Sequence, residues 1–221
     1  MEISLFIGIV LGLGALIAGF LMEGGKLVSL MLLSPFIIVV GGTIGATIAS
    51  YPLKDILRAF KTAGQTLKQP NSSSTKQLID RILEISKTLR TNGIVSLDSI
   101  VKEADLQKEE LLLLKEGLVL LQDGRETEDI QYVMESELNS FTRQKAVEAG
   151  VFESAAGYSP TMGVIGTVMS LVVVLAAGFG DSAELARKIS TAFIATLYGV
   201  SFANLIYLPI ANKIKLYAKK S

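Results

Sequence analysis

The chain has 221 residues, 50% of them hydrophobic, with 21 basic and 21 acidic side chains and a mean hydropathy of +0.48. The balanced charge excludes the basic excess that nucleic-acid binding needs, and with neither cysteine nor histidine there are no disulfides, thiol nucleophiles, histidine triads or usual zinc sites. A chain this apolar and this poor in reactive groups reads as a membrane protein without a cofactor, and not as an enzyme.

Four uncharged runs are long enough to cross a hydrocarbon core of ~30 Å at ~1.5 Å per residue: Ile3–Met22, Leu27–Leu53, Ser154–Gly180 and Ile189–Asn212. The first begins after an acidic Glu2 where a signal peptide would be basic, so it reads as a retained span. It carries the pair Gly8 and Gly12, and the second span carries Gly41, Gly45 and Ala49. Small residues one turn apart let membrane helices approach closely, although glycine is also simply common there. Only Glu23-Gly24-Gly25-Lys26 separates the two spans, which predicts a tight hairpin. Pro35 falls early in the second span, where a missing N–H costs least.

Basic residues set the expected orientation. Lys54, Arg58, Lys61 and Lys68 follow span two, and Lys213, Lys215, Lys219 and Lys220 follow span four. The opposite loops offer Lys26, then Arg187 and Lys188. The positive-inside rule places both termini and the segment between spans two and three in the cytoplasm. The expected division is therefore 1–53 for spans one and two, 54–153 for a cytoplasmic helical domain, 154–212 for spans three and four, and 213–221 for a short basic tail.

The cytoplasmic segment reads as helices throughout, with no alternation that would indicate a strand. Leu53, Ile56, Leu57, Phe60 and Leu67 form an amphipathic continuation of span two. Pro70 to Ser74 is a break, and Ser74 with Gln77 predicts a capping box before Leu78. Asn92-Gly93 ends that helix, and Ser96 is placed to cap a short helix from Leu97. Leu106 to Leu121 is apolar but interrupted by charges, so it reads as a core helix. A turn at Asp123-Gly124 precedes a long charged helix from about Glu126 toward span three.

Span three places Pro160, Gly163, Thr167, Ser170 and Val174 at helical steps, and span four places Ala192, Thr196, Gly199 and Ala203 likewise. Each span has a proline near its cytoplasmic end, Pro160 and Pro209, where a lost hydrogen bond leaves a kink or hinge. The two spans read as a pair sharing one small, hydroxylated seam. The linking segment, Asp181–Lys188, is expected as a short helix at the outer interface.

None of the four spans contains Asp, Glu, Lys, Arg or His. Ion pathways usually need an ionisable group at membrane depth, so a pathway here must borrow its carboxylate from a partner. Thr167 and Thr196 could line such a path; each could equally bond back to a helical carbonyl. Arg90 and Asp98 flank the Asn92-Gly93 turn, and taken alone they are ordinary surface charges. No glycine loop with Lys-Ser/Thr precedes a helix, so ATP is not an evident energy source.

The segments Ala192-Phe-Ile-Ala-Thr196-Leu-Tyr-Gly199 with Pro209, Tyr158-Ser-Pro160-Thr-Met-Gly163-Val-Ile-Gly166-Thr167, and Leu89-Arg90-Thr-Asn-Gly93-Ile-Val-Ser-Leu97-Asp98 resemble motifs of the MotA family of flagellar motor stators. The resemblance covers essentially the whole chain. It implies an all-α membrane protein of the bacterial inner membrane. It also implies a homopentamer around a MotB-like partner that supplies a transmembrane Asp. Transported H+ or Na+ would turn the assembly against the rotor switch protein FliG. It implies that Thr196 and Thr167 face the ion path, that Pro160 and Pro209 shape the ion exit, and that Arg90 and Asp98 contact the rotor. Threonine at both 167 and 196 is similar to the sodium-type pattern. Family members usually carry a longer basic tail than the one ending at Ser221, so the tail is either short or truncated. An ExbB- or TolQ-like energiser typically has three spans, and a self-contained transporter would conduct without a partner.

Overall fold

The computed structural model describes residues 3–66, 72–103, 111–176, 178 and 182–220, and among them there is helix and turn but no strand. The chain divides into two compact units, Met1–Gln69 with Lys145–Ser221, and Pro70–Gln144.

In the first unit, α1 runs over Ile3–Met22 and stops at a turn in which Gly24 adopts φ +80°. The second apolar run, read from its composition as a single span over Leu27–Leu53, is not one helix. It comprises α2 (Leu27–Leu30), α3 (Leu33–Phe36), a π-helical turn at Ile37–Gly41, and α4 (Gly42–Ser50). The chain between α2 and α3 leaves the helix at Met31, whose φ −90° and ψ 71° match an inverse γ-turn. Pro35 sits in the first turn of α3, as expected. Tyr51 is extended, so α5 (Leu53–Thr66) is a separate helix and not a continuation of span two.

Helix α5 buries Ile56, Ala59, Thr62 and Thr66, spaced by one turn. That face joins Ala149, Val151 and Phe152 with Ala211 and Ile214 in one apolar core. The last two belong to α11 (Leu208–Lys220), and the first three to α9, an unbroken helix over Thr127–Ala176. The long charged helix and span three are thus one element. Helix α10 (Ser182–Phe202) leads through a π-helical turn at Ala203–Tyr207 into α11. The expected short interfacial helix before span four is instead the first turns of α10. Among the described residues, four helices are long and apolar enough to cross a membrane: within α1, α3 to α4, α9, and α10 to α11.

Only some of the small residues bring helices together. A Cβ on Gly12 would meet the Leu205 side chain, and one on Gly42 would meet Met162. Within one copy, Gly8, Gly41 and Gly45 face open space, so of the glycines in the span-one and span-two pairs Gly12 is the one in close contact inside the chain.

The second unit contains α6 (Ser72–Asn92), α7 (Leu97–Val101), α8 (Leu112–Gln122) and the beginning of α9. Helix α6 starts two residues before Ser74, so the predicted capping box lies inside the helix and not at its end. It stops where Gly93 takes φ +73°, a conformation that favours glycine. Ser96 does occupy the position before α7 but makes no capping bond; its hydroxyl donates to the Gly93 carbonyl at 2.7 Å, within a short 3-10 turn. Ile85, Leu97, Ile100 and Leu118 form the core of this unit, confirming α8 as a core helix. The part of that apolar run before Leu111 lies outside the described residues, as do Leu67, Lys68, Pro70 and Asn71.

Candidate functional site

At the seam between α9 and α10 two membrane-spanning helices approach backbone to backbone. A Cβ on Gly199 would lie 2.5 Å from the Ser159 carbonyl oxygen and 3.1 Å from the Cα of Pro160. One on Gly163 would lie 2.8 Å from the Ala195 carbonyl oxygen. Backbone therefore packs on backbone, and a residue with a side chain cannot stand at either position without moving a helix. Ser159, fully buried, closes the crossing by donating to the Gly199 carbonyl at 2.9 Å.

This crossing aligns the two predicted stripes. Ala192, Ala195, Gly199 and Ala203 are buried on one side, and Gly163, Gly166 and Val174 on the other. One turn beyond Gly163, the Thr167 and Thr196 hydroxyls meet at 2.7 Å. The Thr167 hydroxyl also lies 2.8 Å from the Ala192 carbonyl and 3.1 Å from the Gly163 carbonyl. Both readings of Thr167 hold at once: it bonds back along its own helix, and it reaches across to α10. The site is a pair of half-buried hydroxyls with adjacent carbonyl oxygens. Such a cluster can bond a proton carrier or offer oxygen ligands to a hard cation, and it cannot titrate.

The prolines lie toward the other end of this pair. Pro160 stands at the crossing itself, inside a helix that continues through it. Pro209 follows the π-helical turn at Ala203–Tyr207. A π-helical turn is one of the identifiable ways in which a helix absorbs an irregularity.

Arg90 and Asp98 lie in the second unit. Arg90 is exposed at the rim of a shallow apolar pocket lined by Ile82, Ile85, Leu89, Leu114 and Leu118. Asp98 is exposed and pairs with Lys102 at 2.9 Å, one turn along α7, with Gln122 at 3.4 Å. The hydrogen bond and charge of Lys102 hold the Asp98 carboxyl below the usual carboxylate range.

Three features are absent from the sequence reading. Tyr198 on α10 bonds the backbone at Leu30 and Leu32. Lys145 and Glu148, one turn apart on α9, form a buried ion pair at 2.9 Å, and Lys145 also donates to the Thr62 hydroxyl at 2.8 Å. Tyr51 and Ser154 share a hydrogen bond at 2.9 Å, as do Ser50 and Tyr158 at 2.8 Å, tying the end of span two to α9. Apart from the i,i+3 pair of Lys145 and Glu148, which reads as surface charge in the sequence, these bonds join residues far apart in the chain, so spacing gives no signal for them.

Comparison with known proteins agrees with this architecture. Residues 105–221 match the MotA/TolQ/ExbB proton channel family, and residues 6–93 match the family described as motility protein A N-terminal. Motility protein A of Bacillus subtilis (strain 168) is 29% identical over 220 residues, covering 100% of this chain and 79% of that protein. The structure of C. jejuni MotAB superposes with a TM-score of 0.88 at 25% identity, covering 100% of this chain and 84% of that one. The flagellar MotAB stator complex from Bacillus subtilis gives a TM-score of 0.84 at 29% identity, covering 97% and 82%.

Proposed function

The chain belongs to the MotA/TolQ/ExbB proton channel family, and from that membership we infer its function: it is a flagellar motor stator subunit that works with a MotB partner. It is an ion-channel subunit of the inner membrane, not an enzyme. The match of residues 6–93 to a motility protein family, together with four candidate spans, favours the stator over an ExbB- or TolQ-like energiser.

The finer reading is carried by one observation. The α9–α10 seam pairs two hydroxyls at 2.7 Å in a chain whose four uncharged spans hold no Asp, Glu, Lys, Arg or His. A hydroxyl pair orients a proton or cation but does not bind one tightly alone. The titrating carboxylate therefore comes from the partner, as a transmembrane Asp beside Thr167 and Thr196. H+ or Na+ passes there, with two threonines favouring Na+. Pro160 and Pro209 shape the exit on the cytoplasmic side. Five copies surround the partner, both termini lie in the cytoplasm, and Arg90 and Asp98 meet FliG on the rotor.

The test is co-expression with a MotB-like partner in a motile cell that lacks its stators. Swimming is expected with the partner and not without it, and the Na+ reading requires that swimming stop in sodium-free medium. Motility from this chain alone would overturn the shared site. Motility that survives sodium withdrawal but not a protonophore would assign H+.

A further inference from the structure

Helix α10 carries a second contact two residues beyond Thr196. At 3.6 residues per turn, Tyr198 points about 200° away from Thr196. Thr196 faces α9, and Tyr198 faces the interruption between α2 and α3. Its hydroxyl donates to the Leu30 carbonyl and accepts the Leu32 N–H at 3.4 Å. Leu32 N–H also reaches the Leu30 carbonyl at 3.1 Å, closing the γ-turn centred on Met31.

The turn lies just ahead of the Leu33–Ser50 span, in an apolar run whose own side chains offer its backbone little, so partners from elsewhere in the protein serve its polar groups. The sequence supplies none locally: Val28, Leu30, Met31, Leu32 and Leu33 are all apolar, and Ser29 lies inside α2. Tyr198 fills that need from 168 positions away. Its ring is held in place. Phe36 meets it edge-on at 6.2 Å, and Phe202 stacks on it at 5.8 Å. Phe36 also meets Phe202 edge-on at 6.1 Å. Helix α10 is therefore gripped from two directions, by hydroxyls of α9 and by the turn between α2 and α3.

We propose that Tyr198 is a positioning residue for the ion path: by clasping the Leu30–Leu32 turn it fixes the rotation of α10 about its axis, and so holds Thr196 against Thr167. The inference rests on the reading of that hydroxyl pair as the path. The Thr196 hydroxyl sits off the helix axis, so a rotation of α10 moves it sideways relative to α9. The backbone packing at Gly163 and Gly199 limits how near the helices come, and the Ser159 and Thr167 hydroxyls hold α10 from the α9 side alone. The clasp adds a hold from the opposite side of α10.

The chain contains no cysteine, which permits a direct test. The T167C/T196C double variant, in the full chain with a MotB-like partner in membranes, places two thiols where hydroxyls stand 2.7 Å apart. Oxidation is expected to bridge them readily, because disulfides form only between closely opposed side chains. Adding Y198F removes the clasp and keeps the ring stack. It is expected to slow bridging several-fold with the amount of assembled complex unchanged. An unchanged bridging rate overturns the proposal, whatever Y198F does to thermal stability. In cells, Y198F alone is expected to raise the ion concentration that gives half-maximal swimming speed by threefold or more, with the maximal speed largely kept. T196V is run beside it. If T196V shifts the ion dependence and Y198F does not, the positioning role fails alone. If neither variant shifts it, the ion-path reading fails and the positioning role fails with it.

Discussion

The Thr167 hydroxyl has three oxygen neighbours and one proton to give. The Ala192 and Gly163 carbonyls can only accept, so the Thr167 proton goes to a carbonyl, the nearer being Ala192 at 2.8 Å, and Thr196 donates to Thr167. The polar seam is thus a directed chain that runs from one threonine to the other and into the α10 backbone. Thr167→Val breaks both cross-helix bonds, and interhelical bonds of this kind are worth roughly 0.6–2 kcal/mol each. The purified protein is expected to melt at a lower temperature in detergent, with Thr167→Ser recovering the loss. Gly199 makes a sharper demand. Gly199→Ala drives a methyl into the Ser159 carbonyl, and overpacking of this kind costs about 1–3 kcal/mol. The same melting experiment checks it, and an unchanged melting temperature would mean that α9 and α10 part freely. At the surface, Asp98 has a lowered pKa through Lys102. Its pairing contributes stability above the unfolded-state pKa, and that contribution is lost as the pH falls through the lower folded-state pKa. Lys102→Ala is expected to raise the Asp98 pKa toward the ordinary carboxylate range, read from the carboxyl carbon shift during a pH titration.

At the scale of elements, hydropathy located the four spans because hydrocarbon imposes a length and forbids charge, and both constraints are written locally in the chain. The seam of spans three and four was legible for a related reason: small and hydroxylated residues recur at 3.6-residue spacing, and the structure sets those stripes face to face. The interruption at Met31 was not legible. Leu27 to Leu33 offers no glycine or proline, and the side chain that stabilises the turn comes from α10. The same limit hid Lys145 and Glu148. As sequence they are two more charges on a helix exterior, yet their side chains are only 9% and 2% exposed, under cover of α5. Breaking a buried pair by removing one partner costs about 3–5 kcal/mol, whereas replacing both with apolar groups of similar size is often neutral. Glu148→Gln is therefore expected to destabilise the protein strongly, and Lys145→Met with Glu148→Leu to restore most of the loss. Equal damage from the single and double variants would show that the pair does more than satisfy itself.

For the molecule as a whole, the open structural question is which side of the membrane each end of the spans faces. The geometry supplies one constraint: Lys213, near the start of α11, donates to the Ser4 hydroxyl at 3.0 Å, so the beginning of α1 and the end of the last span share a side. An even number of crossings requires the same. The cations then break the symmetry, since Lys54, Lys61, Lys215 and Lys219 gather at that end and are all exposed. Lys26 and Arg187, also exposed, lie at the other. The positive-inside rule predicts that the end with the cations faces inward, because translocating each lysine or arginine opposes the charge bias that orients short loops. With no native cysteine, single replacements report position without background. Lys26→Cys and Arg187→Cys are expected to react with a membrane-impermeant maleimide in intact spheroplasts. Lys54→Cys and Lys219→Cys are expected to react only after lysis. Labelling of Lys54→Cys before lysis would invert the topology and turn the α5 segment outward, where a rotor cannot reach it.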